Sequence, residues 1–162
     1  MNQIQFEMKT KIGPLYLVAS EHGLRGVFWR KQQIKSAKIL DPSNTREKFL
    51  LDTARQLKEY LAGERREFDL VLDLSGTSFQ EQVWRELTQI PFGETVSYSD
   101  VARKMKNPKA VRAVGTANGK NPIGIIIPCH RVISANGSMG GYSGGVDIKR
   151  RLLELEREGN IR

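Results

Sequence analysis

"SYSDVARKMKNPKAVRAVGTANGKNP" (residues 97–122) is the stretch whose reading decides the fold of this chain. Ser99 is placed to cap a helix carrying Val101, Ala102 and Met105. Asn107 then reads as the cap of a second helix, with Pro108 at its first position, where no amide donor is lost. Only a few residues separate the two. That spacing predicts a helix-turn-helix, a unit whose second helix can enter a DNA groove. The second helix is lean: Ala110, Ala113, Gly115, Thr116, Ala117 and Gly119 leave Arg112 as the long side chain in its middle. A lean helix packs closely on another helix, and it also fits a narrow groove. Spacing alone leaves both readings open.

Working upstream, "TSFQEQVWRELTQI" (77–90) predicts another helix, with Ser78 as cap and Glu81 completing a capping box. Phe79, Val83, Leu87 and Ile90 fall at helical spacing, with Trp84 beside them. "SGTS" (75–78) marks a boundary between two domains, 1–74 and 77–162. In the first, "LYLVAS" (15–20) and "GVFWR" (26–30) read as strands around an "HG" turn, and "FDLVLDL" (68–74) as a further strand. Between them, residues 31–43 form a polar loop. A helix follows, with capping candidates Ser43, Asn44 and Thr45, apolar positions Phe49, Leu50, Leu57, Tyr60 and Leu61, and Gly63 at its end. This half is a small α/β unit without a catalytic constellation. Downstream, "IGIII" (123–127) reads as a buried strand and "SANGSMGGYSGG" (134–145) as a glycine-rich loop. "DIKRRLLELEREG" (147–159) is a last helix with the stripe Ile148, Leu152, Leu155.

Composition narrows the function. With 39% apolar and 27% charged residues among 162, the chain can pack a core. No apolar run approaches the roughly 18 residues needed to span a bilayer, and the start lacks a signal-peptide core. The expectation is a soluble cytoplasmic protein with no membrane partner. A single cysteine makes no internal disulfide, and one Cys with two His argues against a structural zinc site, which usually takes four such ligands. No metal and no cofactor is expected. The formal net charge is +8. Between Asp100 and Asp147 there is no acidic residue, while Arg103, Lys104, Lys106, Lys109, Arg112, Lys120 and Arg131 all fall there. Such a run is either a solvated basic face or the footprint of a polyanion.

The cysteine sits in "IIIPCHRVI" (125–133), directly before His130 and Arg131. A lone cysteine is most often a small buried hydrophobe. A free thiol has a pKa near 8.5, so a nucleophilic Cys129 needs a base, a nearby cation, or both. His130 can be that base if something fixes its tautomer and balances the charge it gains. The last helix offers Glu154, Glu156 and Glu158, each of which could equally be a surface charge. Adjacent strand residues point to opposite faces, so contact between Cys129 and His130 would need a turn or a water.

"NPIGIIIPCHRVI" (121–133), preceded by "RAVGTAN" (112–118) and followed by "GGYSGG" (140–145), resembles the O6-alkylguanine-DNA alkyltransferases, or methylated-DNA–protein-cysteine methyltransferases. The likeness is close from about residue 77 to 158; the first half matches only in length and general pattern. The resemblance implies a ribonuclease-H-like α/β N-terminal domain (small sheet plus helix) that supports the site. A mostly α, winged-helix-like helix-turn-helix C-terminal domain would bind DNA and carry the site. It implies a monomer that transfers the alkyl group from O6-alkylguanine, with O4-alkylthymine as a further candidate, in double-stranded DNA irreversibly to Cys129, once per molecule. His130 would act through a bound water as base, Glu156 would orient it, and Asn121 would shape the turn beneath. The lean helix, with Ala113 and Gly115, would lie in the minor groove with little sequence preference. Arg112 would fill the space left by a flipped base. Tyr98 would act on the neighbouring phosphate and the flipped guanine, Val132 would offer its carbonyl to the guanine amino group, and Tyr142 and Ser143 would line the pocket. Two departures count: the cysteines of a zinc site found in some relatives are missing, and Gly124 stands where some carry a bulkier residue. Without the resemblance, a non-catalytic helix-turn-helix protein and a cysteine hydrolase would stand as alternatives.

Overall fold

The computed structural model describes residues 2–158, and the chain divides into two compact units, Met1–Ser75 and Gly76–Arg162. The first is built on an antiparallel sheet in which β2 (Leu15–Ser20) lies between β1 (Ile4–Met8) and β3 (Gly23–Phe28). Ser20 pairs with Gly23 across a tight hairpin turn. Helix α1 (Thr45–Leu61) covers the sheet. Asn44 caps it by accepting from the Glu47 amide, and Gly63 turns the chain away in the left-handed region at φ +79°. Leu50, Leu57 and Tyr60 from the helix meet a core that includes Leu15, Leu17, Leu24 and Val27, all buried.

Residues 68–74 do not form the strand expected from their alternation. They run extended, and only Leu72 bridges to Leu24, held by the Leu24 amide on the Val71 carbonyl and the Asp73 amide on the Leu24 carbonyl. On the opposite edge, residues 35–37 bridge Gln5 in the same way. Irregular chain thus makes one bridge to each outer strand of the small sheet.

The second unit is mostly helical: α2 (Ser78–Leu87), α3 (Tyr98–Lys104), α4 (Val111–Gly119) and α5 (Val146–Glu158). A two-residue parallel pair, β4 (Val96–Ser97) with β5 (Val132–Ile133), was too short to be visible in the sequence pattern. Helix α4 packs on both α2 and α3. Val83, Trp84 and Leu87 of α2 and Val114 and Ala117 of α4 are buried there, and the Trp84 indole donates to the Ala117 carbonyl at 2.9 Å. Among the described residues no helix is long and apolar enough to cross a membrane.

Three helix starts differ from expectation. Thr77, not Ser78, caps α2, and Gln80 rather than Glu81 closes the capping box. Ser97, not Ser99, caps α3, with Asp100 as its reciprocal partner. In both cases two overlapping cap patterns compete, and the earlier one takes the helix. Asn107 and Pro108 do not open α4. They open a turn closed by the Ala110 amide on the Asn107 carbonyl, and the helix begins at Val111 without a side-chain cap. Asn followed by Pro serves the first two places of a β-turn as well as a helix start.

Candidate active site

The segment after α4 is shaped by one side chain. Asn121 donates through Nδ2 to the Ile127 carbonyl at 2.8 Å and accepts at Oδ1 from the Ile123 amide at 3.0 Å. Residues 123–127 therefore turn instead of extending: the Ile127 amide bonds the Ile123 carbonyl, and Ile125 sits in the left-handed region at φ +70°. The expected strand is absent. Ile123, Ile125 and Ile127 are fully buried, so the apolar run marked burial rather than conformation.

From this turn the chain enters a single 3-10 turn, Cys129–Arg131. The predicted alternation of faces does not apply there, and all three side chains are buried. The His130 ring is fully enclosed, and its Nε2 lies 2.6 Å from Glu156 Oε2. Arg131 also bonds Glu156, with Nε to Oε1 at 2.8 Å and Nη2 to Oε2 at 3.0 Å. The Gly93 amide adds a bond to Oε1 at 3.2 Å. Of the three glutamates on the last helix, Glu156 meets the imidazole; Glu154 lies 3.9 Å from the Arg150 side chain.

The ionisation states follow. Burial pushes the Glu156 carboxyl up, but the hydrogen bond from His130 and the guanidinium of Arg131 outweigh it, leaving it well below the usual carboxylate range. Burial lowers His130 despite Glu156, so the resting imidazole is neutral. An anionic Glu156 accepts from Nε2–H, which leaves Nδ1 as the basic nitrogen. Nδ1 is buried and has no hydrogen-bond partner among the described residues. Burial raises the Cys129 thiol, with a hydrogen bond from Asn121 and the charge of Lys149 opposing. The thiol is protonated at rest and needs a base.

Lys149 was not singled out in the sequence. It is buried, and its ammonium donates to the carbonyls of Val132 at 2.7 Å and Gly141 at 3.3 Å. With Leu152 and Glu156 it forms one buried face of α5 at spacings of three and four. That periodicity was the available signal; a lysine is ordinarily read as solvent-facing.

A family model for the DNA binding domain of 6-O-methylguanine DNA methyltransferase matches residues 78–158, and one for its ribonuclease-like domain matches residues 7–74. A methylated-DNA–protein-cysteine methyltransferase from Methanosarcina acetivorans is 48% identical over 91% of this chain and 94% of its own. One from Mycobacterium bovis is 59% identical over 63% of this chain and 62% of its own. The crystal structure of Mycobacterium tuberculosis OGT in complex with DNA superposes with a TM-score of 0.87 at 41% identity, covering 98% of this chain and 95% of that one. This chain belongs to the methylated-DNA–protein-cysteine methyltransferase family. It has that family's two-part fold, a small-sheet domain followed by a helical one.

Against this methyltransferase frame, the predicted residues fall into two groups. Cys129, His130, Glu156, Asn121 and Val132 cluster at the 3-10 turn and the helix behind it. Tyr98 and Tyr142 join them: burial, then the proximity of Cys129, raises both phenols, so both stay protonated. Gly115 faces Tyr98, since a Cβ there would lie 3.8 Å from the ring. At Gly140, in the left-handed region at φ +70°, a Cβ would stand 3.2 Å from the Tyr98 hydroxyl, a tight contact. Arg112, Ala113 and Ser143 are exposed.

Proposed function

We infer that this chain repairs DNA by taking the alkyl group of O6-alkylguanine onto Cys129. The observation that carries the reading is the enclosed His130–Glu156 pair at 2.6 Å, next to a protonated thiol, inside a chain of this family. His130 Nδ1 takes the thiol proton through a bridging water. The sulfur then attacks the alkyl carbon; the S–C bond forms as the C–O6 bond breaks, and its electron pair leaves on guanine. Guanine regains a proton and is restored. The thioether is stable, so each molecule reacts once.

The remaining roles follow the family's pattern. The exposed face of α4, with Ala113, meets the minor groove of double-stranded DNA. Small side chains allow close approach, and surrounding lysines and arginines bind phosphates without reading sequence. Arg112 fills the space of the flipped nucleotide. Tyr98 contacts the neighbouring phosphate and the guanine; Val132, Tyr142 and Ser143 line its pocket. A donor at the Ser143 amide steadies charge on the departing oxygen. Residues 1–74 support the site, residues 77–162 carry it, and the protein works as a cytoplasmic monomer. O4-alkylthymine is a second candidate substrate.

The test is mass spectrometry after incubation with duplex DNA carrying O6-methylguanine. One methyl group should appear on the peptide containing Cys129, and reaction should stop at one equivalent. Cys129→Ala should bind the duplex and gain no mass. An unchanged mass for the wild-type protein at saturating substrate would overturn the reading, and continued product release would point to a hydrolase.

A further inference from the structure

Arg131 lies beside His130 in sequence, yet it does not face solvent; it is 6% exposed. Two of its nitrogens grip Glu156, and the third, Nη1, donates to the Ile90 carbonyl at 2.7 Å. The ring of Phe92 lies 5.8 Å from the guanidinium carbon. Every part of the head group is engaged inside the protein, so it is not placed to hold a DNA phosphate.

Its geometry bears on the base. A buried carboxylate paired only with an imidazole draws a proton onto the ring, because the cation–anion pair is the better buried state. An imidazolium cannot accept the thiol proton. Here the carboxylate is already matched by a guanidinium that spans both its oxygens, in the planar geometry arginine is built for. A second cation, Lys149 on α5, faces the same cluster, while Cys129 and Tyr142 are uncharged at rest. Burial is the main force keeping the ring uncharged, and the charges of Arg131 and Lys149 add to it against the pull of Glu156.

We propose that Arg131 is a positioning residue for alkyl transfer: its charge against Glu156 helps burial keep the His130 ring neutral, and its two-point grip holds Glu156 where it fixes Nδ1 as the acceptor for the thiol proton. The inference deepens the alkyl-transfer reading and rests on it for its relevance to catalysis. The clamp itself can be measured without DNA.

The chain has two histidines, His22 and His130, and His22 is exposed, so imidazole NMR signals can be assigned by His22→Gln. In Arg131→Met, the His130 titration should move up by about one unit or more, a tenfold gain in proton affinity. The acidic limb of the single-turnover rate with lesion-bearing duplex should move up by the same amount. Arg131→Lys keeps a charge but loses the two-point grip. It should titrate close to wild type and transfer the alkyl group several-fold more slowly at its optimum. Arg131→Met that is folded but leaves the His130 titration in place would overturn the proposal. If Arg131→Met does not fold, Arg131→Lys decides: wild-type transfer at every pH would overturn it. Wild-type protein that takes up no alkyl group would instead sink the alkyl-transfer reading, while the titrations would still report on the clamp.

Discussion

Glu156 accepts from at least four donors, His130 Nε2, Arg131 Nε and Nη2 and the Gly93 amide, on a buried face of α5 that it shares with Lys149, Leu152 and Leu155. Such a group ties the fold to pH. His130 is held below its ordinary 6.5, so the unfolded chain takes up that proton first and stability falls as pH drops below about 6.5. Glu156 is held below its ordinary 4.5; its contribution is intact above that value and is lost as pH falls further. Both act in the same direction. Denaturant melts between pH 8 and 4 should show a decline that starts near neutrality, and His130→Asn should remove its upper part. A flat profile down to pH 5 in the wild-type protein would contradict this. Cys129 and His130 were legible through the Pro-Cys-His-Arg motif and its flanks, which resemble a known family; a lone thiol by itself is most often a small buried hydrophobe. Arg131 and Lys149 did not reveal their burial, because a charge in a one-dimensional string looks the same whether it meets water or a carboxylate.

At the scale of elements, α3 begins where it does because Ser97 and Asp100 cap each other's amides, which sets Tyr98 as the first helical residue. Ser97→Ala should cost about 1 kcal/mol of stability, by thermal or denaturant melts. It should also slow alkyl transfer, because Tyr98 loses its fixed start. Thr77→Ala removes the equivalent box from α2 at a similar cost and should leave transfer nearly unchanged. Equal slowing by both would mean that capping acts only through global stability. The helices themselves were legible from apolar spacing and β2 from its residue types, while the third strand was read at 26–30 instead of Gly23–Phe28 and β1 was not singled out. The first turn of each helix was less so, since Thr77 and Ser78, or Ser97 and Ser99, offer rival caps one or two residues apart. The turn at 123–127 was hidden for another reason. A side chain outside the run, Asn121, bends it, and a β-branched residue in the left-handed region runs against local preference by about 1–3 kcal/mol. Only the completed packing around Ile125 makes that conformation worthwhile.

Over the whole molecule, the net charge of +8 is concentrated where acidic residues are missing, between Asp100 and Asp147. If that face meets phosphates, affinity for undamaged duplex should fall about tenfold or more between 50 and 200 mM salt, with little dependence on base sequence. Fluorescence anisotropy with labelled duplexes measures both; weak salt dependence with strong sequence preference would favour a reader of bases instead. The bond from the Trp84 indole to the Ala117 carbonyl has a practical use here. The chain has two tryptophans, and Trp29→Phe would leave Trp84 as the sole indole emitter. Shielded from water and tied to the backbone of α4, it should emit toward the blue and redden when that helix shifts. The protein thereby carries its own optical gauge, able to follow engagement and alkylation in real time without a dye.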